Sequence, residues 1–255
     1  VLPSSRLSDV EKFIARWQGK DGSEKANYQL FLTELCHLLT VEIPKPATAD
    51  NQINSYVFER RVDMADSKGK STPGFIDLYK RDCFVLEAKS TRKKQGSGGL
   101  DMALERAYNQ ADGYIKNLPQ YEKKPPFLIV TDVGHVLQLY SEFTCSGSTY
   151  TAFPDSHSHR IRLDDLRQPH ILERLRLIWL DPHSLDPAKK AALVTSEIAK
   201  HLAELAKSLE QQYDAEVVAS FLMRCLFSMF AEDVGLLPAD SFKSLLERLK
   251  DKPAS

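Results

Sequence analysis

A mixed α/β domain followed by a helical annex is the architecture that the sequence predicts. Three observations lead there. Two segments near the N-terminus repeat their apolar residues at helical spacing, and five short β-rich segments follow with one amphipathic helix among them. Past residue 165 the strand signals stop and only helical periodicity continues. The expected division is therefore a sheet-containing domain over residues 1–165 and a helical one over 166–255.

The first helix is read from "SDVEKFIARWQ", where Val10, Phe13, Ile14 and Trp17 share one face after a Ser8-Asp9-x-Glu11 start. The second, "SEKANYQLFLTELCHLL", keeps Tyr28, Phe31, Leu32, Leu35, Leu38 and Leu39 in period, with Ser23 as N-cap. "VEIPKPATADNQ" ends it, because proline lacks the donor that a helix interior needs. "YVFERRV", "FIDLYK" and "CFVLEAKS" then read as strands separated by polar turns. "LDMALERAYNQADGYIKNL" is an amphipathic helix carried by Leu104, Ala107, Tyr108, Ala111 and Ile115. "FLIVTDVG", almost wholly apolar, predicts a central strand, and "VLQLYSEF" another. The order is ααβββαββ, with the helix of "ILERLRLIWL" and two apolar stripes, from Val194 to Leu209 and from Val217 to Phe230, forming the annex.

Composition narrows the function. With 34 Lys+Arg against 35 Asp+Glu the net charge is -1, which excludes a protein that coats nucleic acid through a global basic field. Cys36, Cys83, Cys145 and Cys225 are far apart and form no CxxC, so neither a zinc site nor a disulfide framework is expected. No apolar run nears the roughly 20 residues of a membrane helix, so a soluble, cytoplasmic protein without membrane contact is expected. The start at Val1 and the end in "KDKPAS" right after a helical pattern point to a piece of something longer.

The chemistry concentrates in "GFIDLYKRDCFVLEAKSTRKK", Gly74 to Lys94. Alternation puts Glu87 and Lys89 on one face of their strand and Phe84, Leu86 and Ala88 on the other, which is taken as the core. If Lys80 pairs with Phe84 across the loop Arg81 to Cys83, Asp77 falls opposite Glu87, about 5.5 Å away between Cα atoms. Two carboxylates that close repel unless a cation lies between them. A hard divalent ion resolves this: Mg²⁺, with Mn²⁺ as a substitute, takes the two carboxylates, water and phosphate, and the Ala88 carbonyl is available as a further ligand. Lys89 beside it would orient water and offset charge on the phosphorus centre, which is the chemistry of phosphodiester hydrolysis. Other acid-x-Lys triplets, Glu122 to Lys124 and Asp66 to Lys68, are read as polar loops.

These residues resemble the PD-(D/E)xK nuclease motif, with Asp77 as first acid and "EAK" as acid-x-Lys, although Ile76 stands where proline is usual. "NQADGY" resembles the Gln-x-x-x-Tyr element of RecB-type nucleases through Gln110 and Tyr114, one helical turn apart. "GSEKANYQLFLTELCHLL", "GFIDLYKRDCFVLEAKS" and "FLMRCLFSMFAEDVGLLP", in that order, are similar to the N-terminal part of MmeI-like single-chain restriction-modification enzymes and related phage-defence methyltransferases. The resemblance implies a Mg²⁺-dependent nuclease of the bacterial or archaeal cytoplasm acting on double-stranded DNA, and leaves dimerisation on DNA open. It also implies a methyltransferase using S-adenosylmethionine and a target-recognition domain in the same longer chain. Neither has a motif here: there is no Asn-Pro-Pro-aromatic tetrapeptide and no glycine-rich cofactor loop after a strand.

Weaker candidates complete the set. The resemblance suggests an acid from an early helix as an extra metal ligand, Glu34 before Glu24, against the favoured reading of a solvated face. Arg92, Lys93 and Lys94 form a basic loop for DNA phosphates or an ordinary solvated turn. Arg61 or Arg60 could serve likewise from the first strand, though alternation lets only one face the groove. His157 and His159 have metal-like spacing without a third ligand and read as loop. The Met223 and Met229 stripe reads as helix packing. A non-catalytic DNA-binding or scaffold module is the alternative from another functional class.

Overall fold

The structure is a computed structural model that describes residues 4–19, 24–65, 71–89 and 98–250. Helices α1 (Ser4–Trp17) and α2 (Glu24–Leu39) precede strands β1 (Tyr56–Ala65), β2 (Ser71–Lys80) and β3 (Phe84–Lys89). Helix α3 (Gly98–Lys116) leads to β4 (Phe127–Asp132), β5 (Val136–Ser141), β6 (Thr151–Ala152) and β7 (Arg160–Arg162). Helices α4 (Pro169–Leu180), α5 (Pro187–Leu209), α6 (Ala215–Asp233) and α7 (Ser241–Lys250) finish the described chain. The expected order stands, with β6 and β7 added; strands of two and three residues are too short to carry a periodic signal.

The strands form one mixed seven-stranded sheet in the order β1-β2-β3-β4-β5-β6, with β7 also on β5. All pairs are antiparallel except β3 with β4, which α3 connects as a crossover. Helices cover both faces. Phe84, Leu86 and Ala88 face a core with α1, α2 and α4, while Val85, Leu128 and Val130 face another built on α3. The expectation of one core face is thus too narrow: the face bearing Glu87 is also covered, which leaves Glu87 1% exposed.

Helix α4 belongs with the sheet. Leu172, Leu175, Ile178 and Trp179 join the core of α1 and α2. The Trp179 ring lies 4.4 Å from that of Phe84 and its Nε1 donates to the Tyr56 hydroxyl at 3.0 Å. Contacts accordingly divide the chain into Val1–Asp186 and Pro187–Ser255, so the break falls after Asp186 and not at residue 165. Local periodicity marks α4 as amphipathic but cannot say which face receives it. Trp179→Phe, which removes the donor to Tyr56 and leaves a small void, is expected to cost about 1–3 kcal/mol in urea denaturation.

One loop acid is structural. Glu122, in the triplet read as a polar loop, is buried and accepts from Arg60 Nη2 at 2.6 Å and from the Tyr79 hydroxyl at 2.8 Å, with Arg81 at 3.4 Å. The Arg60 guanidinium stacks 4.1 Å from the centroid of the Tyr79 ring. Arg60 therefore does not reach solvent or DNA.

In the second unit, α6 starts at Asp214, whose carboxylate caps the Glu216 N–H at 2.9 Å. Val218 and Ala231 are its buried residues, while Val217, Phe221, Met223, Met229 and Phe230 are exposed. Its stripe is therefore not consumed by packing inside this unit. Among the described residues no helix is long and apolar enough to cross a membrane.

Candidate functional site

The candidate site forms where β2 and β3 part. A turn over Arg81 to Cys83, with Asp82 in the left-handed region at φ 60°, closes the hairpin and pairs Lys80 with Phe84, as the sequence predicts. The pairing continues through Tyr79 with Val85 to Leu78 with Leu86, and its ladder ends there. Asp77 and Glu87 are the next residues of the two strands, but they are not ladder partners. Instead the Ala88 N–H donates to Asp77 Oδ2 at 2.7 Å, which ties the first acid across the fork to β3.

The departure has a local cause. Leu78 packs on the side of α1 and α2, whereas Ile76 packs under α3. Strand β1 changes face at the same level: Phe58 packs against the first core, whereas Arg60 stacks on Tyr79 of the second. Between them Glu59 adopts φ 51°, an uncommon conformation for a residue with a side chain. Phe58–Leu78 and Arg60–Ile76 flank the level shared by Glu59 and Asp77. The sheet thus switches phase at the residue that carries the first acid.

Glu87 and Lys89 continue β3 on the α3 side. Lys89 Nζ lies 2.9 Å from Glu87 Oε1 and 3.3 Å from Gln110 Oε1, and Gln110 Nε2 donates to the Tyr114 hydroxyl at 3.0 Å. Glu87, Lys89, Gln110 and Tyr114 are thereby joined on the α3 side, while Asp77 is tied to β3 through the Ala88 N–H. On the opposite side of the fork the Tyr28 hydroxyl donates to Glu59 and receives Gln29 Nε2 at 3.1 Å. Burial, then the Glu59 hydrogen bond, push the Tyr28 hydroxyl far above its ordinary value, and the charge of Asp77 adds to the effect. Tyr28 therefore stays a neutral donor at any physiological pH.

Other expected residues are placed elsewhere. Glu34 is not at the fork: Trp17 Nε1 donates to its Oε2 at 2.8 Å and Arg16 pairs with its Oε1 at 3.0 Å, so both oxygens serve the packing of α1 on α2. Arg61 is exposed and pairs with Asp63 at 2.9 Å. Arg92, Lys93 and Lys94, like Asp66 to Lys68, lie outside the described residues. Glu24 begins α2, and its side chain is likewise outside the description. His157 and His159 lie in an exposed stretch, as the loop reading holds, and no group of three His, Cys, Asp or Glu able to hold a metal occurs among the described residues.

Two residues near the site went unread. Glu59 breaks an apolar strand, "YVFERRV", just as Asp77 does, and that signal was available. Asp132 ends "FLIVTD", is fully buried, and is the Cα partner of Lys89 across the parallel pair.

Residues 5–212 match the family model described as the MmeI N-terminal domain, and residues 216–255 match the one described as the MmeI helicase spacer domain. The junction between the two matches falls between α5 and α6. No curated protein and no solved structure compared with the chain matches it. With two consecutive family models spanning 5–255, the chain belongs to the MmeI family and is part of a restriction-modification enzyme.

Proposed function

We propose that this chain is the DNA-cleaving module of its enzyme, hydrolysing phosphodiester bonds of double-stranded DNA with Mg²⁺ by the chemistry of PD-(D/E)xK nucleases. The observation that carries the reading is the Lys89 ammonium, held between the Glu87 carboxylate and the Gln110 amide beside the fork occupied by Asp77. An ammonium at 21% exposure beside a carboxylate at 2% is a charge pair held at the rim of a core, where its field is less screened than on an open surface.

The donor set suits a hard cation. Two carboxylates on adjacent strands, with no histidine or cysteine among the proposed ligands, match the one or two carboxylates through which Mg²⁺ is usually held, the rest of its shell being water and phosphate. Asp77 and Glu87 would hold the ion, with the Ala88 carbonyl as the candidate backbone ligand. When bound, it would polarise the scissile phosphate and acidify a coordinated water. Lys89 orients the attacking water and offsets the negative charge that grows on the phosphate oxygens. Gln110 fixes one direction of the Lys89 ammonium, and Tyr114 fixes Gln110. DNA-phosphate contacts fall to Arg92, Lys93, Lys94 and Arg61. The methyltransferase and target-recognition parts, with S-adenosylmethionine, would lie in the longer chain and supply sequence specificity.

Calorimetric titration with Mg²⁺ tests the reading. The protein should bind the ion, and Glu87→Gln should abolish binding by removing one charge at constant shape. Equal binding by both proteins, or none by either, would favour the non-catalytic scaffold.

A further inference from the structure

Strand β2 carries a residue without a side chain, Gly74, under the Tyr114 ring of α3. A Cβ at Gly74 would stand 2.5 Å from Cε1 of Tyr114, 3.3 Å from its Cδ1 and 3.2 Å from Cγ of Met64. Real Cβ atoms do not approach an aromatic carbon to 2.5 Å, so one of the two must shift. Met64 meets it less closely, through Cγ of an unbranched side chain, and needs to give only a few tenths of an ångström. Tyr114 cannot yield cheaply: it is a rigid plane, 8% exposed, packed in the α3-side core with Val62, Ile76 and Ala111. Gly74 pairs with Val62 in the regular β1–β2 ladder, so backbone conformation does not explain the glycine. The ring does.

The ring in turn sets a one-way series of hydrogen bonds. An ammonium donates and never accepts, so Gln110 must turn its Oε1 toward Lys89, at 3.3 Å. That fixes the amide, and its Nε2 points at the Tyr114 hydroxyl, at 3.0 Å. The hydroxyl is then the acceptor, and its place depends on how deeply the ring enters over β2. Moving the ring outward removes the acceptor of Gln110 Nε2, frees the amide to rotate, and takes from Lys89 the Gln110 oxygen that helps direct it.

We propose that Gly74 is a positioning residue for the Lys89 ammonium, acting through Tyr114 and Gln110. The consequence for catalysis rests on the nuclease reading of Lys89; the coupling itself does not.

A variant cycle in the full chain tests it with three readouts: thermal melting, the NMR cross-peak of the Gln110 side-chain amide (assigned by its loss in Gln110→Glu), and Mg²⁺-dependent cleavage of duplex DNA. Gly74→Ala should lower the melting temperature by roughly 5 °C, as overpacking does in a domain of this size, shift the amide peak, and slow cleavage by about 10-fold or more through loss of geometry at the reacting centre. In a Tyr114→Ala background the same change should alter none of the three further. In Tyr114→Phe, which keeps the ring and removes the acceptor, Gly74→Ala should still lower melting but no longer move the amide peak. Equal effects of Gly74→Ala in every background would make the glycine an ordinary strand residue and overturn the proposal. Should Gly74→Ala fail to fold, recovery of folding by Tyr114→Ala supports the steric coupling and failure to recover overturns it. A chain that never cuts DNA would sink the nuclease reading, while melting and the amide peak still decide the coupling.

Discussion

Lys89→Ala in the full-length protein is expected to lower DNA cleavage by about 10²–10³-fold, the loss found when one preorganised donor to a developing negative charge is removed. Duplex binding and the Mg²⁺ titration should survive. The magnitude follows from position. Lys89 ends β3, one residue after the Ala88 amide that binds Asp77, and its ammonium is restrained by Glu87 at 2.9 Å and Gln110 at 3.3 Å. A surface lysine would hold its charge in full solvent and contribute little. The substitution deletes no buried ring or branched side chain but leaves the Glu87 carboxylate, 2% exposed, without this ammonium, so melting should fall somewhat, and an unchanged circular dichroism spectrum with retained duplex binding would show that the fold persists and the loss is chemical. Lys89→Arg keeps the charge but spreads it over a planar fork in place of a point ammonium. It should recover only part of the rate. Cleavage by Lys89→Ala at the original rate would end the assignment of this lysine.

Glu122→Ala should destabilise the sheet-containing unit by about 3–5 kcal/mol, because breaking a buried ion pair leaves its partner charged and unsolvated. Arg60 is that partner, with 0% of its side chain exposed. The Tyr79 hydroxyl and Arg81 would lose the same acceptor. The lost packing of a short acidic side chain is a small part of this; the stranded guanidinium dominates. Urea denaturation measures the loss directly, and a cost under about 1 kcal/mol, typical of exposed pairs, would show that water relieves Arg60. The pH dependence provides a second check. Burial alone would raise the Glu122 pKa, but the hydrogen bonds from Arg60 and Tyr79, with the charges of Arg60 and Arg81, outweigh it and hold the group below its ordinary value. A carboxyl depressed on folding contributes stability that is complete above the ordinary value, about 4.3 for glutamate, and is lost as pH falls through the depressed one. Wild-type stability should therefore drop in acid below about pH 4.3, and Glu122→Gln should remove that part of the drop.

What could be read from the chain itself was what depends on near neighbours. The pairing of Lys80 with Phe84 follows from a short turn and fixes which strands carry Asp77 and Glu87. Strand alternation puts Glu87 with Lys89, and helical spacing puts Gln110 with Tyr114. The acids that went astray needed tertiary information. Glu34 has the spacing of a solvated helix residue, yet Trp17 and Arg16 occupy it. Glu122 sits in a segment of loop composition, but β1 and β2 deliver Arg60 and Tyr79 to it. Glu59 marks itself as an acid inside an apolar strand, but its left-handed backbone, which turns the strand at the level of Asp77, has no compositional mark. Helix α4 shows the same limit at a larger scale: its apolar face is plain in sequence, but its destination, the surface beside Phe84 and Tyr56, is set by residues about a hundred positions earlier.

The bond from Ala88 to Asp77 makes this aspartate a wedge as well as an acid. Extending the register of Leu78 with Leu86 by two residues would bring Ala88 against Ile76, and the Ala88 amide would then zip onto the β2 backbone. The carboxylate takes that amide first and props the seam open. Asparagine at 77 should keep the gap while losing the charge, because its side-chain oxygen can still accept; leucine should forfeit both and let the strands close.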